Sequence, residues 1–265
     1  MTDVSIIIVS FNARADLERC LGSLHASVQA RSWEIIVVDN GSSDGSADAA
    51  ARSPGVQVIC NRDNLGFARA TNVGIRASHG TNLLLLNSDT VVPSGAIERL
   101  IDILDLHPDV AVVGPRLIDA AGKAELSFGG MIGPLNELRQ QWRSRADIDR
   151  LTRQRQYPDW VSGACLLVRR ADANAVGLLD ERYFMYTEDV DFCAAIRARH
   201  RRILFAPEVE IVHVRGRSAA SAREATRVAY RRSHIAFYEK HHPRWVPLLK
   251  LYLRLKGEGA RSSKP

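Results

Sequence analysis

The sequence has no hydrophobic run long enough to cross a bilayer, and its first apolar segment is short. That segment, Val4 to Val9, has the length of a strand, and the three residues before it include no lysine or arginine. A secretory signal peptide has a basic start and a longer apolar core. We therefore expect a protein that remains in the cytoplasm.

Cysteine is scarce, with four in 265 residues, and no two of them form a Cys-x-x-Cys pair. Cys20, Cys60, Cys165 and Cys193 lie in segments whose patterns are typical of strands or apolar helix faces. This spacing argues against a zinc site and predicts reduced thiols in the core.

The chain also lacks a helix-turn-helix pattern, zinc-finger spacing and a platform of aromatic residues interleaved with basic ones. Its net charge is nevertheless +6, and the excess is concentrated in the carboxyl-terminal third. The arginines that crowd this third are Arg197, Arg199, Arg201, Arg202, Arg215, Arg217, Arg223, Arg227, Arg231 and Arg232. We expect no nucleic-acid partner, but phosphate-bearing substrates or an anionic membrane surface.

Glycine-rich phosphate loops are missing from the turn after the first predicted strand, Ser10-Phe11-Asn12-Ala13. A dinucleotide-dependent oxidoreductase needs G-x-G-x-x-G at this turn. A nucleotidyltransferase that makes sugar nucleotides would carry a glycine-rich loop with an arginine and a lysine. The sequence therefore argues against both enzyme classes.

Three apolar segments end abruptly in small polar or acidic residues. They are Val4 to Val9 before Ser10-Phe11-Asn12, Glu34 to Val38 before Asp39, and Leu83 to Leu86 before Asn87-Ser88-Asp89. Their alternation with helical patterns predicts a doubly wound α/β sheet, which binds ligands outside the carboxyl ends of its strands. Asp89 is thus a candidate ligand or metal residue, although these residue types also favour simple turns.

A group of acids begins a later predicted helix, after a segment from Trp160 to Val168 that is predicted to be one buried strand. Glu188, Asp189 and Asp191 occupy the first turn, and Thr187 can cap it. Such acids are usually structural, because the helix start favours negative charge. The preceding Tyr183-Phe184-Met185-Tyr186 could instead exclude water and make a carboxylate a stronger base. Capping and general-base catalysis both stay open.

His213 follows an apolar strand, Val209 to Val212. A histidine at a strand end is more often a satisfied structural residue than a metal ligand. Its neutral imidazole is also a good ligand for manganese or zinc, so it could complete a site begun by Asp89.

Taken together, these segments resemble the family 2 glycosyltransferases of the GT-A fold, especially the rhamnosyltransferase-like branch that extends bacterial cell-surface polysaccharides. The resemblance covers residues 4–218. The matching blocks are residues 6–12, 37–46, 64–74, 85–89, 161–164 and 184–191, followed by His213, Gly216 and Ser218. It implies a Rossmann-like, mostly parallel mixed sheet flanked by helices.

The resemblance also implies a nucleotide site. Ser10, Asn12 and Asp39 would hold the nucleotide, with Asp39 accepting a hydrogen bond from the ring N–H of the base. The residues expected to line the same pocket are Asp63, Asn64, Gly66 and Ser88.

The triplet Asn87-Ser88-Asp89 resembles the family's metal-binding D-x-D motif, but its first acid is an amide here. Asp89 and His213 would be the protein ligands of Mn²⁺ or Mg²⁺, and the donor diphosphate would supply further oxygens. Because of Asn87, a non-catalytic nucleotide- or carbohydrate-binding module is the alternative to an enzyme.

By the same resemblance, Asp189 would be the general base of an inverting transfer, and Trp160, Glu188 and Asp191 would contact the acceptor. Glu188 and Asp191 could instead pair with arginines such as Arg197 or Arg199. The expected donor is dTDP-rhamnose, or otherwise a UDP-sugar. The expected acceptor is a glycan or a polyprenyl-diphosphate-linked glycan.

The sequence divides into a catalytic domain over residues 1–218 and a basic helical extension over residues 219–265. Within the domain, residues 1–115 are expected to bind the nucleotide and residues 116–218 the acceptor. In the extension, Trp245 to Lys256 predicts a short helix with leucines around most of its surface. This helix could pack on the catalytic domain or lie against an anionic membrane.

Overall fold

The computed structural model of the chain describes residues 2–27, 31–134, 136–137, 144–214 and 223–255. The strands are β1 (Val4–Ser10), β2 (Trp33–Asp39), β3 (Val56–Cys60), β4 (Asn82–Asn87), β5 (Thr90–Val91), β6 (Val110–Ile118), β7 (Phe128–Gly129), β8 (Trp160–Val161), β9 (Cys165–Arg169) and β10 (Arg202–His213). The helices are α1 (Arg14–Ser27), α2 (Ser46–Ala51), α3 (Phe67–Ala77), α4 (Ala96–Leu106), α5 (Arg145–Leu151), α6 (Arg170–Ala175), α7 (Glu188–Ala198), α8 (Arg223–His241) and α9 (Val246–Leu255), with a 3₁₀ turn at Pro243–Trp245.

Eight of these strands form one mixed sheet in the order β3-β2-β1-β4-β9-β6-β10-β5. The pairs β3–β2, β2–β1, β1–β4 and β6–β10 are parallel, whereas β9 is antiparallel to both of its neighbours. Strands β7 and β8 form a separate antiparallel pair. The mostly parallel α/β sheet flanked by helices is confirmed.

Apolar residues alternate between the two faces of β1, because successive side chains of a strand point in opposite directions. Ile6 and Ile8 pack with α1 and α4 in one core, and Ile7 packs with α3 and α7 in the other. Both faces of the strand are therefore buried, as in parallel sheets covered by helices.

The register of the parallel strands brings three loops to one edge of the sheet. Ser10 pairs with Asp39 across β1 and β2, and Val9 pairs with Asn87 across β1 and β4. The polar residues that follow these strands consequently lie side by side.

The single strand predicted from Trp160 to Val168 is wrong. The chain forms β8, turns at residues 162–164, and then enters the main sheet as β9. The backbone N–H of Ser162 donates to the carbonyl of Ser127, so the first segment belongs to the small β7–β8 pair. An apolar pattern alone does not distinguish one buried strand from two.

The carboxyl-terminal helices α8 and α9 pack on the region around the start of α7 through a third apolar cluster. Phe237, Leu249 and Leu253 contact a group that includes Tyr183 and Val190, next to the start of α7. One face of α9 is therefore docked on the rest of the chain. None of the helices in the described residues combines the length and hydropathy of a membrane-spanning segment.

Core packing in the sheet predicts a large cost for Leu84→Ala. Leu84 is fully buried in the centre of β4, so truncation removes apolar contacts and leaves a cavity. We expect the free energy of unfolding in urea to fall by about 2–5 kcal/mol. Leu106→Ala is the control, because this leucine is 77% exposed and its loss should change stability by less than about 0.5 kcal/mol. Equal effects of the two substitutions would contradict this assignment of the core.

Candidate active site

The loops after β1 and β2 are joined by side-chain to backbone hydrogen bonds. Asn12 adopts a left-handed backbone conformation (φ 49°), and its Oδ1 accepts from the backbone N–H of Ser43 at 2.8 Å. Its own N–H donates to Ser42 Oγ at 2.9 Å. The N–H of Ser42 donates to Asp39 Oδ2 at 3.0 Å. One oxygen of Asp39 is thereby fixed by the loop.

Two buried polar atoms of this edge have no hydrogen-bond partner within the described residues: the Oγ of Ser10 and the Oδ1 of Asp39. Leaving a buried polar group unpaired costs about 1–3 kcal/mol. These two atoms are therefore free to bind a polar ligand at the end of β1 and β2. The open acceptor on Asp39 suits a ligand with an N–H group.

Asn40 holds the third loop in place, a role that the sequence analysis missed. Its Nδ2 donates to Asn64 Oδ1 at 2.8 Å, and its Oδ1 accepts from Asn61 Nδ2 at 3.0 Å and from the N–H of Leu65 at 3.1 Å. Asn40 lies within a matching block, but nothing in its local pattern shows that its partners come from the loop after β3. Asp63, in the same loop, is exposed.

Gly66 connects this edge of the sheet to the loop before α7. It has a positive φ of 84°, and a Cβ at this position would collide with the backbone carbonyl of Phe184. The same carbonyl accepts a hydrogen bond from the N–H of Phe67 at 2.6 Å. The absence of a side chain at Gly66 thus allows residues 183–187 to lie directly against α3.

Asp189, on the first turn of α7, is held by two backbone N–H groups. Gly163 donates to its Oδ2 at 2.9 Å and Val190 to its Oδ1 at 2.8 Å. Tyr186 and Thr187, just before the helix, both adopt left-handed conformations, with φ of 71° and 66°. The prediction that the Thr187 side chain caps the helix is wrong, because its Oγ1 is buried and makes no hydrogen bond within the described residues.

Burial raises the pKa of Asp189, although the N–H groups of Gly163 and Val190 oppose the shift. Burial and the neighbouring charge of Asp189 raise the pKa of Glu188 well above its ordinary value. In the described residues, the Oε2 of Glu188 has no hydrogen-bond partner. Hydrogen bonds to a carboxylate favour its charged form, so Asp189 ionises in preference to Glu188.

Asp191 forms a different set of contacts from those expected. Its Oδ2 pairs with Lys240 Nζ at 2.8 Å, and its Oδ1 lies 2.6 Å from His241 Nε2 and accepts from the Tyr183 hydroxyl at 3.2 Å. The alternative that Asp191 pairs with Arg197 is wrong, because Arg197 pairs with Asp159 at 2.8 Å. Asp191 therefore ties α7 to the end of α8.

Trp160 lies on the same side of the sheet, half-buried between the second and third apolar clusters. Its indole Nε1 donates to the carbonyl of Gly130 at 2.9 Å. This hydrogen bond fixes the ring in the β7–β8 pair.

His213 lies between two carboxylates. Its Nε2 is 3.3 Å from Asp89 Oδ1, and its Nδ1 is 3.1 Å from Glu125 Oε2. Asp89 comes close because β5 pairs with the end of β10. The amide of Asn87 is 3.4 Å from the same Nε2. Sequence reasoning missed Glu125, which belongs to no recognisable motif.

Burial alone would lower the pKa of His213, but its hydrogen bonds with Asp89 and Glu125 outweigh burial and raise the pKa to about 9. In the metal-free protein the imidazole is therefore protonated at neutral pH. The described residues contain no group of three or more His, Cys, Asp or Glu side chains arranged to hold a metal by themselves.

One backbone hydrogen bond and one backbone-to-carboxylate hydrogen bond connect the end of β4, just before Asp89, with Asp189. The N–H of Asn87 donates to the carbonyl of Ala164 at 2.9 Å, and the adjacent Gly163 donates to Asp189. The turn at residues 162–164 therefore fixes the end of β4 relative to the first turn of α7.

A cleft of about 690 Å³ lies elsewhere, at the carboxyl end of α7. It is lined by basic residues that include Arg197, Arg201 and Arg202, but each of these is paired with an aspartate. None of the predicted site residues lines it. The open oxygens and carboxylates described above make the edge of the sheet the better candidate.

A sequence model of the family described as Glycosyl transferase family 2 matches residues 5–175. This chain is a family 2 glycosyltransferase. The resemblance inferred from the motifs is confirmed, and the family supports an enzyme in place of the non-catalytic alternative.

One relative of this glycosyltransferase is the N-acetylglucosaminyl-diphospho-decaprenol L-rhamnosyltransferase of Mycobacterium tuberculosis. The two are 30% identical over 268 residues, which cover 92% of this chain and 87% of the relative. The similarity thus extends beyond the family match into the carboxyl-terminal helices.

Solved structures confirm the GT-A fold of the glycosyltransferase. The mannosyltransferase PcManGT from Pyrobaculum calidifontis, in complex with GDP-Man and Mn²⁺, has a TM-score of 0.63 and 18% identity, over 93% of this chain and 67% of its own. GalNAc-T7 with UDP, GalNAc and Mn²⁺ has a TM-score of 0.61 and 17% identity, over 81% of this chain. The glycosyltransferase spans only 44% of the length of that second structure.

Glu125 is expected to set the protonation of His213. In Glu125→Gln, the loss of one carboxylate should lower the His213 pKa from about 9 toward its ordinary value, as measured by NMR titration in the presence of a chelator. Because folding raises the pKa of His213, the protonated imidazole stabilises the folded protein through its carboxylate partners. This contribution is fully present below pH 6.5 and is lost as the pH rises through 9.

The free energy of unfolding of Glu125→Gln should consequently be lower than that of the unmodified protein by about 1 kcal/mol at pH 6 and by much less at pH 10. His79→Ala is the control for the His213 titration, because His79 is 80% exposed and contacts Glu34, not Glu125. An unchanged His213 titration in Glu125→Gln would refute the role of Glu125.

Proposed function

We propose that this enzyme transfers L-rhamnose from dTDP-rhamnose, with inversion, to a polyprenyl-diphosphate-linked glycan in cell-surface polysaccharide synthesis. The observation that carries the proposal is the hydrogen-bonded turn that holds Asp189 beside the end of β4, at the edge where Ser10 and Asp39 have open polar atoms. The sugar and the lipid are taken from the name of the mycobacterial relative.

In this proposal the nucleotide lies over the ends of β1, β2 and β4. The open Oδ1 of Asp39 accepts the ring N–H of thymine, and Ser10 Oγ and Asn12 contact the nucleoside. The remaining lining residues are Asp63, Asn64, Gly66 and Ser88. Uracil presents the same ring N–H and differs by one methyl group, so UDP is the comparison ligand.

Asp89 and His213 fit a divalent cation, Mn²⁺ or Mg²⁺. Asp89 Oδ1 and His213 Nε2 are adjacent, and Glu125 holds the opposite ring nitrogen, as carboxylates do behind metal-binding histidines. When bound, the cation would neutralise negative charge on the departing diphosphate. His213 must first release its Nε2 proton, so cation binding should strengthen as the pH rises.

Asp189 acts as the general base. Gly163 and Val190 orient its carboxylate, and the raised pKa makes it a stronger base toward the acceptor hydroxyl. Removing the hydroxyl proton lets the oxygen attack the anomeric carbon on the face opposite the nucleotide, which inverts the configuration. Burial and the neighbouring charge of Asp189 raise the pKa of Glu188, so this proposal assigns the proton transfer to Asp189 and not to Glu188.

Residues 116–218 supply the acceptor side, while residues 1–115 bind the donor. Trp160 and Glu188 are assigned to the acceptor. Asp191 contributes to the acceptor side indirectly, by holding α7 in position. Its oxygens are already occupied by Lys240, His241 and Tyr183.

Calorimetric titration with dTDP and with UDP, each with and without Mn²⁺, tests the donor site. We expect tight, metal-dependent binding of dTDP that is lost in Asp89→Ala. Preference for UDP would overturn the rhamnosyl donor but keep the site. Binding of neither nucleotide would overturn the proposed site.

Asp189→Asn should lower kcat by about 100- to 10,000-fold, because an amide cannot take the proton from the hydroxyl of the acceptor. The affinity for dTDP should stay within about twofold, since Asp189 does not contact the donor in this proposal. The matched control is Asp109→Asn, at an exposed ion pair with Arg202 before β6. Full activity of Asp189→Asn would remove Asp189 from its role.

His213→Ala should weaken the Mn²⁺-dependent part of dTDP binding by at least about tenfold, with little change in metal-free binding. His79→Ala again serves as the control. If the Mn²⁺ titration of His213→Ala matched that of the unmodified protein, His213 would be a structural residue.

A further inference from the structure

The helix α9 exposes a second apolar face in addition to the one that packs on the domain. Leu249 and Leu253 are buried in the third apolar cluster. Leu248, Leu251 and Leu255 point away from it and are 55%, 52% and 79% exposed. Their spacing of three and four residues places them on one stripe of the helix. Exposed leucines at this density are typical of an interaction surface.

Aromatic and basic residues surround this stripe. Trp245 and Tyr252 are 47% and 42% exposed, and Arg244, Lys250 and Arg254 are exposed as well. Lys250 also contacts Glu239 of α8 at 3.1 Å. From His242 to Lys256 the sequence contains no aspartate or glutamate. The surface is therefore apolar in its centre and positive at its margins.

The helix is held rigidly relative to the candidate active site. It follows α8, whose last turn binds Asp191 through Lys240 and His241, and its buried leucines pack in the same cluster as Tyr183. Whatever α9 contacts will therefore be fixed in orientation relative to Asp189, which lies in the same first turn of α7 as Asp191.

We propose that α9 lies in the surface of an anionic lipid bilayer. Its exposed leucines enter the boundary of the acyl chains, Trp245 and Tyr252 lie at the level of the headgroups, and the basic residues contact lipid phosphates. A ten-residue helix is about 15 Å long, which suits a position in the plane of the membrane and not across it.

Charge favours the bilayer over a second copy of the chain. In a symmetric dimer, the same face would meet itself and bring Arg244, Lys250 and Arg254 of both copies together. An anionic headgroup layer complements these charges, and it also tolerates a narrow apolar stripe that is not shaped to a particular partner.

Co-sedimentation of the full chain with vesicles tests this surface. One set of vesicles contains phosphatidylglycerol and phosphatidylcholine, and the other contains phosphatidylcholine alone. We expect binding mainly to the anionic vesicles, with partitioning that weakens as salt is raised.

Leu248→Gln/Leu251→Gln should weaken partitioning by about tenfold for each leucine removed. Arg244→Gln/Arg254→Gln should weaken it by about fivefold per charge on anionic vesicles and not on neutral ones. Leu106→Gln, on α4, is the matched control for an exposed leucine and should bind as the unmodified protein does. Thermal unfolding checks that every variant is folded.

The proposal is overturned if the unmodified protein does not bind anionic vesicles, or if Leu248→Gln/Leu251→Gln binds them equally well. Sedimentation velocity without lipid identifies the alternative occupant: a dimer that Leu248→Gln/Leu251→Gln dissociates would assign the face to a second copy. Vesicle binding needs neither donor nor acceptor, so a failure of the proposed transfer reaction would leave this readout unchanged.

Discussion

The turn at residues 162–164 is the constraint on which the geometry of the site depends. A continuous strand would carry every N–H and carbonyl of this segment into the ladder of the sheet. The hydrogen bond from Asn87 to the carbonyl of Ala164 continues the antiparallel register of β4 and β9, and the turn that follows frees the N–H of Gly163 for Asp189. The end of β4, the β8–β9 connection and helix α7 are thereby held at one point by the backbone of the turn and the carboxylate of Asp189.

Acids at this edge differ in function because their oxygens have different partners. Asp39 has one oxygen fixed by Ser42 and one open, which suits recognition of a donor group. Asp189 is held by backbone N–H groups, whereas Asp191 forms an ion pair with Lys240 and contacts His241. Asp189 and Asp191 lie two residues apart on α7, so hydrogen bonding and burial, not sequence position, distinguish the proposed base from the residue that ties α7 to α8.

Much of the fold follows from local patterns in the sequence. Apolar runs that stop at polar residues indicate the strand ends, and alternation of strands with helices indicates the doubly wound sheet. The family motifs name the residues at the edge, and Asp89 and His213 do lie together. Local patterns do not predict contacts between distant segments, such as Glu125 with His213 or Asp191 with Lys240. They also do not reveal that Asn40 joins two loops or that the strand breaks at Gly163, because both depend on partners elsewhere in the chain.

The left-handed conformations of Tyr186 and Thr187 affect how such an enzyme can be changed. Two adjacent side-chain-bearing residues in this region cost about 1–2 kcal/mol each, so the surrounding contacts must hold them. One of these contacts is the approach of Phe184 to Gly66, just before α3 in the first part of the chain. An exchange of residues 1–115 or 116–218 between relatives would therefore put this contact at risk. A recombinant enzyme would have to inherit residues 64–67 and 184–187 from the same parent.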